Sequence, residues 1–342
     1  MTHARIAKQF PPRFSLDVEF GIAPGVTALY GPAGAGKTLI LEIIAGFVRP
    51  DSGRILLDDV ILFDAESRVS VPPHRRNCGY IAQRDALFPH MTLRQNLLFP
   101  AKRFPRLERH RRVAEMTERF QLSDSATLRP GEASPAQKLG CATARALIAE
   151  PKLLLIDERG LDEPLLQQIR AAFAGPILLA THDLDLICAV ADVLIVIDGG
   201  RIVQCGAPRA VLDQPTSVEI ARLLGIPNLF RGTIAALDPA RDSSRLDFGQ
   251  FALTGPYIPG HFRGDSVWVA VHPEDLRAHS GGLESPPNFV SAQLVRVSHR
   301  TRWLRLEFSG GIFADISREE FARQKDNKDW QVEFPPSALR VL

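Results

Sequence analysis

Gly31, Gly36, Lys37 and Thr38 stand in the spacing Gly-x-x-x-x-Gly-Lys-Thr, inside the run Gly25-Val-Thr-Ala-Leu-Tyr-Gly-Pro-Ala-Gly-Ala-Gly-Lys-Thr38. The pattern carries chemistry only when a strand leads into it and a helix leads out. Val26–Tyr30 reads as a short buried strand and Lys37 onward as a helix. Between them Gly31, Pro32, Ala33, Gly34, Ala35 and Gly36 offer too little side chain to keep a ligand away. Backbone N–H groups of such a loop curl around phosphate oxygens, and the helix start adds a favourable dipole. Lys37 then reaches the outer phosphates and Thr38 ligates magnesium, so the expected ligand is a nucleoside triphosphate. The competing reading is a glycine-rich turn with no ligand.

A second group ends the apolar run Leu153-Leu-Leu-Ile-Asp157-Glu158. In P-loop enzymes an acid at the end of such a strand helps to hold magnesium. A neighbouring carboxylate can take a proton from water, which contributes about 10²–10⁴ in rate. Asp157 is thus a candidate metal group and Glu158 a candidate base, against the alternative of a solvated strand end. Gln83 and His182 each end an expected strand on the same side of a parallel sheet, the edge where ligands bind in such folds. Each alone would be bland, since a lone His is usually structural. With the P-loop and the paired acids they form an ordered set.

The elements that must position this set follow from periodicity. Phe14, Leu16, Val18 and Phe20 alternate with polar residues and read as a strand with one buried face. Leu39, Ile40, Ile43, Ile44 and Phe47 recur at helical spacing, and Arg49-Pro-Asp-Ser-Gly53 ends that helix. Short strands are expected at Arg54–Leu57, Val60–Phe63 and Gly79–Gln83. From about 92 to 150 the pattern becomes mainly helical, an inserted subdomain. The parallel pattern resumes at Lys152, with a helix near Pro164–Phe173 and a strand at Pro176–Ala180. Val193–Ile197 and Arg201–Gln204 flank Asp198-Gly199-Gly200 and read as a hairpin whose Asp-Gly pair supplies positive φ. Helices around Pro208–Leu212 and Ser217–Leu224 close a first domain, 1–227. Beyond it, Ser266–Val271, Phe289–Val297, Trp303–Phe308 and Gly311–Ile316 are short strand-like runs divided by turn residues, so 228–342 reads as a small β domain, a barrel or sandwich.

Composition sets the outer limits. The 342 residues suit two domains with real cores. Apolar runs such as Val193–Ile197 are strand-length, far short of a bilayer span, so a soluble chain with at most a peripheral membrane role is expected. The start, Met-Thr-His-Ala-Arg-Ile-Ala-Lys, carries no apolar core with a small-residue cleavage site, so no export signal is expected. Cys78, Cys141, Cys188 and Cys205 lack metal-ligand spacing and suit reduced thiols in a cytoplasm. A net charge of +2 does not call for nucleic acid. The basic stretch Lys102–Arg112 reads as a solvated helix face in preference to a nucleic-acid patch, since no aromatic platform accompanies it.

The ordered set resembles the ATP-binding subunits of ABC transporters: P-loop Gly31–Thr38, Q-loop Gln83, a signature region, Walker B Leu153–Glu158 and switch His182. The resemblance spans residues 4 to about 225. It implies an α/β P-loop NTPase fold, with a RecA-like core, an antiparallel β subdomain and a helical subdomain. It implies ATP and Mg2+ as ligands, the metal held by Thr38 and Gln83, with Asp157 acting directly or through water. Glu158 would polarise the attacking water and His182 would contact the γ-phosphate. Phe10 corresponds by position to the aromatic that stacks on adenine, with Phe14 as the fallback and core packing as the alternative for both.

Two segments depart from the family. Ala133-Ser134-Pro135-Ala136-Gln137 stands where the family has Leu-Ser-Gly-Gly-Gln, so Ser134 and Gln137 survive and both glycines are gone. Ser134 remains a good N-cap, Pro135 suits the first helical position and Gln137 completes a capping box. The helix can still aim its dipole, with Ser134, Ala136 and Gln137, at a phosphate across a homodimer interface. Pro135 has no N–H, so one charge-assisted contact of about 1.5–3 kcal/mol is missing and a roughly 10–100-fold slower or weaker site is expected. After Walker B, Arg159-Gly160-Leu161-Asp162 looks two residues short.

Within the superfamily the chain looks most like the ATPase of molybdate importers, through Arg49–Ile55, Val60–Asp64, Pro72–Tyr80 and Ala86–His90. Ser285-Pro-Pro-Asn288-Phe-Val-Ser-Ala-Gln-Leu-Val295 resembles the start of an oxyanion-binding β module of the TOBE or Mop kind, with Pro287 where an Arg is common. Val267–Asp275 resembles the β extension of import ATPases, with His272 in place of an Arg. Leu87–Met91 lie where the family docks a helix of its membrane partner, with core packing as the alternative for Leu87 and Phe88. The resemblance implies an import ATPase on the cytoplasmic, inner face of the cell membrane, working with an integral permease and a solute-binding protein on molybdate or a similar oxyanion. It also implies an oxyanion site at the β domain. The other readings are a regulatory ATP-binding module with little turnover, an importer ATPase for sulfate, polyamine or sugar, and a DNA-repair ATPase. The last would need a coiled coil or zinc-binding cysteine pairs between Gln83 and Ser134, and neither is there.

Overall fold

The chain opens with β1, Thr2–Phe10, which pairs antiparallel with β2, Phe14–Ile22, so that Thr2 faces Ile22 and Phe10 faces Phe14. β1 is a strand that periodicity did not announce. Its inward side chains are small or modest, Thr2, Ala4 and Ile6, and His3, Arg5 and Lys8 interrupt them. β2 supplies the long apolar face, Leu16, Val18, Phe20 and Ile22, against which β1 folds. The computed structural model describes residues 2–82, 87–157, 161–280, 287–300, 303–324 and 329–342. They fall into two units, Met1–Val211 and Leu212–Leu342.

In the first unit β3, Val26–Tyr30, runs into α1, Lys37–Ala45. β4 (Ser52–Leu57), β5 (Val60–Asp64) and β6 (Val69–Ser70) extend the sheet beyond β1, and β7 (Cys78–Ile81) lies at its far edge. Three helices follow: α2 (Leu93–Ala101), α3 (Arg106–Arg119) and α4 (Pro135–Leu147). Next come β8 (Leu153–Asp157), α5 (Glu163–Ala172), β9 (Ile177–Ala180), α6 (Leu184–Val190), β10 (Val193–Asp198) and β11 (Arg201–Gly206). The sheet order is β6-β5-β4-β1-β2-β11-β10-β3-β9-β8-β7. Strands β10, β3, β9, β8 and β7 are mutually parallel, which explains why their sequences are continuous apolar runs with both faces covered. One core packs α1 on one face, with Ile40, Ile43, Leu155 and Ile195. A second covers the other face with the three-helix segment, through Leu97, Val113, Ala144 and Ile156. In the β10–β11 turn the positive φ falls on Gly199 and Gly200, while Asp198 ends the strand, a correction to the Asp-Gly reading.

The helical segment is tied from within. Asn96, fully buried, accepts from the Phe88 N–H at 2.8 Å and donates to the carbonyls of Phe88, Met91 and Thr92. This holds the 87–92 turn, with Leu87 buried and the Phe88 ring tilted against that of Phe99 at 4.8 Å between centroids, under the Arg145 guanidinium. Leu87 therefore packs the core, whereas Phe88 is half-buried beside the exposed Phe99. The basic stretch is a helix face with its own partners: Arg111 and Arg112 bond Glu108, holding its carboxyl at about 2, and Arg112 lies over the Phe104 ring.

In α7 (Pro208–Asp213) the chain passes from one unit to the other, and α8, Val218–Leu223, lies in the second. Arg222 of α8 sits over the Trp268 ring, which is one reason the division precedes the Pro227 boundary suggested by composition. The second unit continues with β12 (Asn228–Asp238), β13 (Ser243–Asp247), β14 (Ala252–Pro256), β15 (Ser266–Val271), β16 (Arg277–Ser280), β17 (Phe289–His299), β18 (Leu304–Phe308), β19 (Ile312–Ile316), α9 (Arg318–Gln324), β20 (Asp329–Glu333) and β21 (Arg340–Val341). Two antiparallel sheets, β14-β13-β12-β15-β21 and β16-β20-β17-β18-β19, enclose one core containing Val269, Leu306, Phe308, Trp330 and Phe334. Two buried asparagines substitute for ladder bonds. Asn228 exchanges two hydrogen bonds with the Phe313 backbone, and Asn288 bonds Thr254 and Phe334.

Candidate functional site

Parallel pairing brings the chemical residues to one edge. Asp157, the last residue of β8, is level with Ala180 of β9, and Ala180 is level with Leu29 of β3. The chain leaves these strands into Gly31–Thr38 and into Thr181–His182, and the Thr181 N–H still reaches back to the Leu29 carbonyl at 3.2 Å. Strands lie about 4.8 Å apart, so the P-loop and Asp157 face each other across roughly 10 Å. His182 is exposed at this edge, between the buried Thr181 and Asp183, whose carboxylate caps α6 through the Leu186 N–H at 3.0 Å. Gln83 and Glu158 lie outside the described residues.

The loop's shape depends on two glycines. A Cβ on Gly31 would run into the Ile197 carbonyl of β10, so only Gly lets the chain turn there. Gly36 sits at φ 105° as the N-cap of α1, and no side chain caps that helix. The first turn of an α-helix has N–H groups with no helical carbonyl to bond. Pro32, Ala33 and Gly34 are exposed and Ala35 is buried, so the loop's outer rim presents backbone. Lys37 Nζ donates to the carbonyls of Gly31 at 2.6 Å and Pro32 at 2.9 Å, which lays the ammonium across the loop. Thr38 follows on the exposed side of the first turn. A cradle of backbone with a cation above it and a helix dipole beneath suits a polyphosphate.

The acid side of the site includes two residues that motif reading missed. Glu42 lies one helical turn after Thr38. Burial raises its carboxyl pKa, and the Asp157 charge raises it further. Tyr80 of β7 is raised by burial and then by the charges of Asp157 and Glu42. The phenol stays protonated, and its ring meets Phe47 edge-on at 5.2 Å. The signal for Glu42 was its place four residues from Thr38 amid an otherwise apolar helix. Asp157 is only 7% exposed. Hydroxyl and carboxylate oxygens without thiol or imidazole suit a hard divalent cation, so Thr38 and Asp157 fit magnesium.

The two aromatic candidates separate. Phe14 packs under the loop: a Cβ on Gly36 would lie 3.0 Å from its ring. Phe10, at the same hairpin end, is 43% exposed. At the start of α4 the capping box is present. The Ser134 hydroxyl accepts the Gln137 N–H at 3.3 Å, the Gln137 side-chain carbonyl accepts the Ser134 N–H at 2.8 Å, and Pro135 and Ala136 fill the exposed first turn. These residues belong to the helical segment and lie on an element separate from the sheet edge. Asp162 likewise caps α5 through the Leu165 N–H.

The ABC transporter family model matches residues 16–159. The chain is 37% identical over 293 residues to the molybdenum import ATP-binding protein ModC of Paramagnetospirillum magneticum, covering 82% of this chain and 79% of that protein. It is 33% identical to the spermidine/putrescine import ATP-binding protein PotA of Vibrio cholerae, covering 79% and 72%. A solved structure of the ATP-binding subunit of an ABC transporter, 24% identical, shares the fold with a TM-score of 0.55 over 66% of this chain and 99% of that one.

Proposed function

Because this chain belongs to the ATP-binding proteins of ABC transporters, we propose that it is the ATP-hydrolysing subunit of an importer for molybdate or a related oxyanion. The observation that carries the reading is the shared sheet edge, where the P-loop, Asp157 and His182 emerge from adjacent parallel strands. Backbone N–H groups of Gly31–Gly36 and the Lys37 ammonium hold the phosphates. Phe10 stacks on the adenine, and Thr38, Asp157 and Gln83 hold magnesium. When bound, the ion neutralises charge developing on the transferred phosphoryl group. Glu158 takes the proton of the attacking water, and His182 donates to the γ-phosphate oxygens. Ser134, Ala136 and Gln137 of a second copy close the pocket, so the working form is a homodimer.

Among the described residues no helix is long and apolar enough to cross a membrane. The subunit acts peripherally, on the inner face of the membrane, under an integral permease that receives cargo from a solute-binding protein. The C-terminal unit is its regulatory β domain. Asn288 is committed to backbone bonds there, so an oxyanion in that domain is held by other groups. A second reading, an ATP-binding module with little turnover, is favoured by one observation: Ser134 and Gln137 already satisfy each other, and Pro135 adds no donor.

The test is reconstitution with permease and binding protein, following ATP-driven uptake of molybdate, sulfate and spermidine side by side. Oxyanion uptake that disappears with Glu158→Gln is expected. Spermidine uptake alone would overturn the cargo. A steady-state ATPase rate untouched by Glu158→Gln would leave only the low-turnover reading.

A further inference from the structure

Phe10 does not stand alone at the end of β1. Lys8 Nζ lies over its ring, 5.5 Å from the centroid. The same ammonium is 2.6 Å from Asp51 Oδ1, while Asp51 Oδ2 accepts the Gln9 N–H at 2.8 Å. The Asp51 N–H in turn donates to the Ala7 carbonyl at 2.9 Å. Three hydrogen bonds therefore tie the last residues of β1 to the turn that follows α1. The Lys8 hydrogen bond, followed by that of the Gln9 N–H, holds the Asp51 carboxyl below the usual carboxylate range. Lys8 is the less exposed member of the pair, at 20% against 50% for Asp51, so the ammonium is confined where it is.

An aromatic ring has two faces, and a cation held over one is attracted by the ring quadrupole. The covered face is closed to a ligand, and the exposed area of Phe10 must be offered elsewhere. Attraction to a tethered charge also limits the ring's rotation, which lowers the ordering cost when a flat partner arrives. No comparable clamp is needed for Phe14, whose ring is fixed by packing under Gly36 and against Gly200.

We infer that Lys8 and Asp51 are positioning residues for base recognition: the pair sets the Phe10 ring so that its uncovered face stacks on the nucleobase of the triphosphate. This deepens the proposed nucleotide site and rests on it. The effect belongs to the base and leaves the phosphate grip alone, because the clamp touches β1 and the turn after α1 without touching the P-loop.

The experiment compares two ligands by calorimetry on the full chain, Mg·ATP and Mg·tripolyphosphate, the second having no base. Lys8→Met and Asp51→Asn should each weaken Mg·ATP about 2- to 5-fold and leave Mg·tripolyphosphate unchanged. Lys8→Arg should restore ATP affinity, and adding Lys8→Met to Phe10→Ala should weaken ATP no further than Phe10→Ala alone. Unchanged tripolyphosphate binding shows that each variant is folded. Equal losses for both ligands, or no loss in either clamp variant while Phe10→Ala weakens ATP, would overturn the inference and leave the nucleotide site standing. Wild-type protein that binds neither ligand would overturn both.

Discussion

The helix starts at Gly36 and at Ser134 are built in opposite ways. α1 begins on a glycine at φ 105° with no side-chain cap and no acid in its first turn. α4 begins on Ser134 at φ −65°, ψ 160°, with the Ser134–Gln137 capping box closed and a proline at its first position. An uncapped start keeps its N–H groups and dipole for a ligand, which becomes the cap when it binds. A self-capped start keeps the dipole but has spent its best donor on its own side chain, and Pro135 removes another. Under the proposed function, the contrast favours α1 as the grip on phosphate and leaves α4 a weaker, electrostatic part. It also places one of the two departures from the family at the start of α4, away from the P-loop.

Four variants sharpen or break that contrast. Lys37→Ala removes two charge-assisted contacts and should lower steady-state ATP turnover roughly 100-fold or more. Retention of most activity would mean that the loop is not the phosphate grip. Gly36→Ala must hold a side chain at φ 105°, with its Cβ 3.0 Å from Leu16 and Phe14. A loss of about 2 kcal/mol in denaturant unfolding is expected, and an unchanged midpoint would contradict the strained start. Pro135→Gly returns an N–H to the first turn of α4 and should raise kcat about 10-fold; no gain would show that the proline is not what limits the site. Ser134→Ala should destabilise the α4 start by about 1 kcal/mol, read by hydrogen exchange across residues 134–139. Unchanged exchange across these residues would deny the cap.

Both helix starts were legible in the sequence, for different reasons. The P-loop is a fixed spacing of residue types imposed by phosphate geometry, and the capping box is a fixed spacing imposed by backbone donors. The parallel strands were legible because burial on both faces writes continuous apolar runs such as Leu153–Ile156. β1 was missed because its buried side chains are Thr2, Ala4 and Ile6, and β2 provides most of the apolar surface between them. In the C-terminal unit, β13, β14 and β16 escaped because short strands with polar outward faces carry little period, and their pairing is fixed by long-range neighbours such as Asn288. Arg76 escaped too. Its guanidinium is buried and bonds the Ile43, Ile44 and Val71 carbonyls, holding the last turn of α1, a contact that no local pattern encodes. Glu42 and the Lys8–Asp51 pair are of the same kind, since each acquires meaning only when β1, β8 and α1 come together.

The most direct measurement is calorimetric titration of the purified full chain with ATP, in magnesium and then in EDTA. Saturable binding that weakens markedly when the metal is withdrawn is the predicted result. No saturation at millimolar Mg·ATP, or an affinity indifferent to magnesium, would contradict a triphosphate and its metal held between the start of α1 and Asp157.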